Sequence, residues 1–340
     1  MSASRFASVR RNVLASSTGQ ILASALSVGT TIVTARWLGA SGRGTLSLLI
    51  TGAMVLALLV CVGIPQAITT FTARGRLTFR RAGKLSALVA AGTLLVGIAT
   101  AIVMVRRGDV APEVAVFLPL GALAGSLSLS QVMLANGVGR VDLGVLNTAI
   151  TAGTLLGAYT IGWLSGLSGT LAVVAACASW VAGQFVGDAV GWWKVYRASR
   201  DTRRVAAEPV AARELWRYAA SAYPSVIVGH LNARLDILLL GVLAGTAAVG
   251  LYSTAVVAAS LVFVVPSAIG AALSRPFGDH ADEDAKRAIR VAAIASWGVS
   301  GLVGLVLWGA VMLLAEPLLG AEFASLGVLV GYMLPGMVLH

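Results

Sequence analysis

Between Arg43 and Arg74 the chain runs for 30 residues without a charge, and similar runs cover 12–35, 85–105, 114–139, 143–187, 237–274 and 291–315. An uncharged apolar stretch of about 20 residues is long enough to cross the ~30 Å hydrocarbon layer as a helix. Two of the runs are too long for one crossing. The first is interrupted by Ser165-Gly166-Leu167-Ser168-Gly169 and the second by Ala244-Gly245-Thr246-Ala247-Ala248. The pattern predicts an all-α, polytopic membrane protein with about ten transmembrane helices, near 12–35, 47–71, 85–105, 116–136, 144–164, 170–193, 218–243, 249–273, 291–314 and 323–339. Charged residues make up only 11% of the chain, against about 25% in a soluble domain. The 39 glycines suit helices that approach closely through small residues. Cys61 and Cys177 both fall within expected spans and read as small buried hydrophobes rather than a disulfide framework. The first apolar segment carries no cleavage pattern of a signal peptide.

The positive charges orient these spans. With the N-terminus in the cytoplasm, 20 of the 25 Lys and Arg residues fall on the inner side and four (Arg36, Arg43, Arg106 and Arg107) on the outer. Arg234 falls within a span. A 20-to-4 bias is the asymmetry expected of a multi-pass membrane protein whose N-terminus is cytoplasmic. It also accounts for the net charge of +11 through loops facing anionic lipid, with no need of nucleic acid.

The longest non-membrane segment, 194–217, is basic and contains Pro209. It divides the chain into an N-terminal lobe of six helices (1–193), a cytoplasmic linker (194–217) and a C-terminal lobe of four (218–340). The two lobes look related. Gly39-x4-Gly44 follows the first helix, and Gly245-x4-Gly250 follows the seventh. Each pair leads into a helix with an internal proline, Pro65 or Pro266, and then into a basic loop. This is the signature of a parallel repeat about an axis along the membrane normal, with the second unit incomplete. Pro65 and Pro266 are candidate hinge or kink sites.

The chain carries no phosphate-binding loop, paired-Cys or HExxH spacing, so neither a metal nor a cofactor is expected. Ionisable groups within spans are costly, at about 2.5–3.5 kcal/mol for a central Arg or Asp on insertion scales. His230, Asn232, Arg234 and Asp236 concentrate them in the seventh helix. Arg234, with His230 and Asn232, is a candidate for binding an anionic group such as phosphate, for which guanidinium is suited. The competing reading is a helix lock. Asp236 and Asp188 are candidates for cation coupling or helix locking, and Arg36 and Arg43 for charges at the outer mouth. Gln20, Gln66, Gln131, Asn136 and Asn147 either line a polar path or bond helix to helix.

The segments TARWLGASGRGTLSLLITGAMVLALLVCVGIPQAITTFTARGR (34–76), LANGVGRVDLGVLN (134–147), NARLDILLLGVLAGTAAVGLYSTA (232–255) and LLGAEFASLGVLVGYMLPGMVL (318–339) resemble bacterial polysaccharide-biosynthesis flippases. That family belongs to the superfamily joining multidrug/toxin extruders with lipid-linked oligosaccharide exporters. The resemblance implies two helical lobes and transfer of a polyprenyl-diphosphate-linked glycan from the inner to the outer leaflet by alternating access. It implies that Arg234 meets the diphosphate, with His230 and Asn232 on phosphate or sugar. A glycan polymerase or glycosyltransferases would be partners, alongside anionic membrane lipids. Such proteins have two six-helix halves, of which about ten helices are expected here. Three alternatives stand beside this reading: a cation-coupled multidrug extruder of the same fold, a membrane glycosyltransferase or ligase, and a non-transporting scaffold of glycan assembly. A ligase should depend on Asp109, Glu113, Glu316 or Glu322, to which a flippase should be indifferent.

Overall fold

The computed structural model describes residues 3–108, 110–201, 209–232, 234–263 and 283–339. Among them the secondary structure is helical throughout, with no strand. The helices are α1 (Ala3–Cys61), α2 (Ile64–Ala73), α3 (Phe79–Arg107), α4 (Pro112–Ala115), α5 (Phe117–Gly137), α6 (Val141–Leu164), α7 (Gly169–Asp201), α8 (Ala212–Asn232), α9 (Leu235–Ser260), α10 (Glu283–Leu319) and α11 (Leu326–Leu339). Seven helical segments among the described residues are long and apolar enough to cross a membrane, the first of them Ile21–Cys61.

That first segment is two crossings. Gly39 sits at φ 67°, ψ −177° within α1, a conformation open to glycine and strained for other residues. The side chain of Arg43 reaches back to the hydroxyls of Thr34 and Thr31. In a straight helix residues 31 and 43 would lie about 18 Å apart, so the arms on either side of Gly39 fold back on one another. The sequence led us to expect a loop over 36–46; a single glycine makes the turn instead. α9 repeats the device. Gly245 has φ 80°, ψ −179°, and Tyr252 donates a hydrogen bond to Asp236, residues about 24 Å apart in a straight helix.

Two expected helices are broken elsewhere. The span over 47–71 is interrupted at Val62 and Gly63, both at positive φ, so that Pro65 lies at the start of α2. There it is pre-set for helix and its missing N–H is not needed. The span over 218–243 divides between α8 and α9, with Arg234 at the non-helical φ −140°, ψ −12°. Pro224 lies inside α8 without ending it. Pro266 lies outside the described residues.

α1 is the spine. At its Gly39 end, Trp37, Leu46 and Leu49 pack with Tyr159, Ala172, Cys177 and Trp180 of α6 and α7. On its other flank, Ala35 and Ala40 pack with Ala255 of α9, Leu319 of α10 and Leu326 and Val330 of α11. A third core, at the opposite end, joins Ile64, Phe71 and Val195 to Val210, Leu215 and Ala219. Here α8 leans on the first set of helices. The bidentate pair of Arg76 with Glu214 (2.7 and 2.9 Å) and the Thr70–Tyr218 bond (2.8 Å) fasten it there. The Arg76 guanidinium holds the Glu214 carboxyl below its ordinary range. Cys61 and Cys177 are both buried free thiols.

Candidate functional site

The two glycine turns meet. A Cβ on Gly44 would fall inside the carbonyl oxygen of Thr246 and within 2.9 Å of the Gly250 nitrogen. A Cβ on Gly250 would in turn overlap the carbonyl of Ala40 and lie 3.1 Å from the Gly44 nitrogen. Only glycine lets two backbones approach in this way. The contact is reciprocal, as a two-fold relation requires: the glycine of each unit rests on the turn of the other. Next along the seam, Ser47 Oγ lies 2.9 Å from Ser253 Oγ, its counterpart 206 residues on. Ser41 Oγ meets Thr246 Oγ1 at 2.9 Å. The repeat visible in the sequence is thus a pseudo-symmetric interface between α1 and α9.

Three further ties cross at the same end. The Ala40 N–H, at the start of the second arm of α1, donates to Glu322 Oε2 at 2.6 Å, a carboxylate on the positive end of a helix. Arg36 donates to the backbone carbonyls of Pro317 and Leu318 at the close of α10. Arg43 donates through Nε to Thr254 Oγ1 at 2.6 Å and through its terminal nitrogens to Thr34 and Thr31.

Arg43 corrects the sequence reading most sharply. Expected among charges at the outer mouth, it is 7% exposed. Among the described residues no carboxylate pairs with it; its acceptors are three threonine hydroxyls. The turn at Gly39 needs no loop, so residues 40–46 become helix and carry Arg43 into the seam. Arg36 is not a free surface charge either, since it closes the end of α10.

The residues expected to bind an anion are placed differently. Arg234 is half-buried at the break between α8 and α9, and its guanidinium makes no hydrogen bond or ion pair among the described residues. His230 is exposed and its Nδ1 lies 3.1 Å from Val226 O of its own helix. Asn232 is exposed at the end of α8. No hydrogen bond joins the three. Asp236 accepts from the Ile237 N–H at 2.8 Å and from Tyr252, a contact between the two arms of α9.

Asp188 is 3% exposed on α7 and accepts from Ser128 Oγ of α5 at 2.6 Å. Beside it Asn147 Nδ2 of α6 donates to Gln131 Oε1 of α5 at 3.1 Å. The sequence flagged Asp188, Asn147 and Gln131 singly but not Ser128; the structure joins Asp188 to Ser128 and Asn147 to Gln131.

A family of polysaccharide biosynthesis proteins matches residues 9–276. The chain belongs to that family. No curated protein matches this polysaccharide biosynthesis protein in sequence. Its fold is that of multidrug resistance transporters of the MATE family within the MOP superfamily. An inward-facing MATE structure aligns with a TM-score of 0.61 at 17% identity, over 94% of this chain and 76% of the other. An outward-facing one aligns at 0.56 and 15%, over 97% and 78%. A MOP superfamily transporter from Pyrococcus furiosus, described as having a binding pocket of reversed polarity, aligns at 0.53 and 15%, over 97% and 78%. The polysaccharide biosynthesis protein is therefore a multi-pass membrane protein with a transporter fold.

Proposed function

We propose that this protein carries a polyprenyl-diphosphate-linked oligosaccharide from the inner to the outer leaflet of a bacterial cytoplasmic membrane, by rocking its two lobes (1–193 and 218–340) about the α1–α9 seam. The observation that carries the reading is that seam. Two pseudo-symmetric hairpins meet at one end of the molecule, through glycine contacts and hydroxyl pairs that can part and re-form. The family match supplies the link to polysaccharide assembly.

On this reading the Gly39 end faces outward and is closed. Arg74, Arg80, Arg81, Lys84, Arg213 and Arg217, at the opposite end, face the cytoplasm beside anionic lipid, as the positive-inside asymmetry requires. Arg197, stacked 4.0 Å from the Trp193 ring, anchors that interface. A diphosphate cannot enter hydrocarbon uncompensated, and Arg234, without an ion pair among the described residues, is the cation we assign to it. His230 and Asn232, exposed on the same stretch, would contact phosphate or sugar. Glycosyltransferases and a glycan polymerase would supply the cargo and consume it.

The fold likeness to multidrug transporters favours one rival, a cation-coupled drug extruder. A ligase reading loses its test at Glu322: this carboxylate holds the seam, so a transporter also depends on it.

The test is translocation of a fluorescent polyprenyl-diphosphate oligosaccharide in proteoliposomes, with a cationic dye run in parallel. We expect glycolipid transport by the native chain, about 10- to 100-fold slower in Arg234→Ala, given about 1.5–3 kcal/mol for a hydrogen bond to a charged group, and partly retained in Arg234→Lys. Dye transport without glycolipid transport would overturn the reading in favour of the extruder.

A further inference from the structure

The sequence places α8 in the second lobe, yet its side chains are tied to the first. Glu214 accepts both bonds of the Arg76 pair, and Tyr218 accepts from Thr70. The Tyr218 ring also stands edge-on to Phe71, with centroids 5.5 Å apart. Tyr223 donates at 2.5 Å to Leu59 O, one of the last carbonyls of α1, which a helix end leaves without a helical donor. Gly63 at the α1–α2 break is seated on α8: a Cβ there would fall 2.1 Å from Ala219 O. Its neighbour Val62 holds φ 43°, unusual for a β-branched residue and sustained only where the surroundings over-determine the backbone. Just ahead of α8, the Val210 N–H donates to Arg76 O at 3.1 Å, and Arg81 donates to Val210 O at 2.6 Å.

The core agrees with these ties. Leu215 and Ala219 are buried with Ile64 and Phe71, and no residue of α8 enters the core that α9, α10 and α11 share with α1. Val195 and Val210, near the two ends of the basic linker, lie in one core, so the linker begins and ends on the same body. Past Tyr223 the attachment stops. Val228, Gly229, His230 and Asn232 are exposed, as are Leu235 and Asp236. Burial resumes at Ile237, 3% exposed. Between them Arg234 has non-helical φ and ψ. A hinge is a few residues at the ends of elements that absorb a change in φ and ψ, and this stretch is such a place, clear of packing on both sides.

We propose that α8 moves as part of the first lobe, and that the chain bends at Arg234, between α8 and α9, when the α1–α9 seam opens. The inference rests on the transport reading above and shifts its lobe boundary from the linker to the stretch between Asn232 and Leu235. His230 and Asn232 then travel with the first lobe and Asp236 with the second. The residues assigned to the cargo thus lie at the joint. A diphosphate that binds one angle of the joint better than the other shifts the equilibrium by that difference in affinity, which links cargo to seam.

The experiment measures distances between spin labels on the purified chain in lipid nanodiscs, without glycolipid and with Cys61→Ala and Cys177→Ala. Labels replace Leu88 on α3, Ala220 on α8 and Tyr332 on α11, all exposed, two at a time. Each pair is compared with and without Gly44→Ala, whose methyl meets the backbone across the seam. Gly250→Ala, which meets it from the other side, serves if that variant does not fold. The 88–332 and 220–332 distances should shift, while the 88–220 distance stays fixed. Any shift between 88 and 220 would overturn the inference, and with 88–332 also shifted it would leave the rocking of the lobes intact. If 88–220 and 220–332 both stay fixed, the joint does not bend, and the inference falls together with the rocking. Absent glycolipid transport beside the expected distances would reject the cargo and not the hinge.

Discussion

Gly44→Ala is expected to part the α1–α9 seam and shift the protein toward the state open at its Gly39 end. Alanine is intrinsically better in a helix by about 1 kcal/mol, but residue 44 is helical on either side of the equilibrium, so this term cancels. The new methyl, however, overlaps the backbone carbonyl of Thr246 and not a side chain, so no rotamer change relieves it. Overpacking costs about 1–3 kcal/mol, and a backbone clash belongs at the upper end. The lobes can escape by separating, and the bias toward separation should be about 3 kcal/mol. Gly250→Ala should act alike, because its methyl meets Ala40 from the other side. The double variant should show much less than the sum, since once the seam has opened the second methyl meets nothing. Distances between spin labels at Ser168 and Ala244, exposed on either side of the seam, would report the shift.

Arg43→Met should act in the opposite direction. The guanidinium is buried against hydroxyls alone, and desolvating an ion without a counter-charge costs several kcal/mol. Its removal strands no partner of consequence. Thr34 also donates to Thr30 O at 2.8 Å and Thr254 to Gly250 O at 2.7 Å. The chain holds an internal control: Val249 occupies the position equivalent to Arg43 beside the other turn and is fully buried. An apolar side chain of similar volume should therefore favour the closed seam by about 1–4 kcal/mol, a shift of between about five- and several hundred-fold in the ratio of states. The same label pair should report a population confined to the short distance, and transport should slow. If so, Arg43 serves to keep the closed gate reversible.

Much of this architecture was legible in the sequence because membrane thickness dictates it. The uncharged runs marked the crossings, and the 20-to-4 distribution of cations gave them a consistent register. The Gly39/Gly44 and Gly245/Gly250 pairs were legible too, since in each unit the first glycine makes a turn at positive φ and the second a backbone approach that admits glycine alone. Arg43 was not. A charge between two apolar runs reads as a loop residue, whereas a one-glycine turn has no loop, and its acceptor Thr254 lies 211 residues away. The break at Arg234 was hidden as well, because no glycine or proline marks it. The Asn147–Gln131 and Asp188–Ser128 bonds were hidden too, because each joins two helices, and spacing along one chain says nothing of that.

The most direct measurement is to lock the seam and ask whether transport stops. Ser47 and Ser253, with their hydroxyls 2.9 Å apart, are close enough for a Ser47→Cys/Ser253→Cys disulfide in a chain with Cys61 and Cys177 replaced by alanine. The account predicts that oxidation abolishes glycolipid translocation in proteoliposomes and that a reductant restores it. Undiminished transport by the cross-linked protein would contradict it, because the α1–α9 seam would then not be the gate.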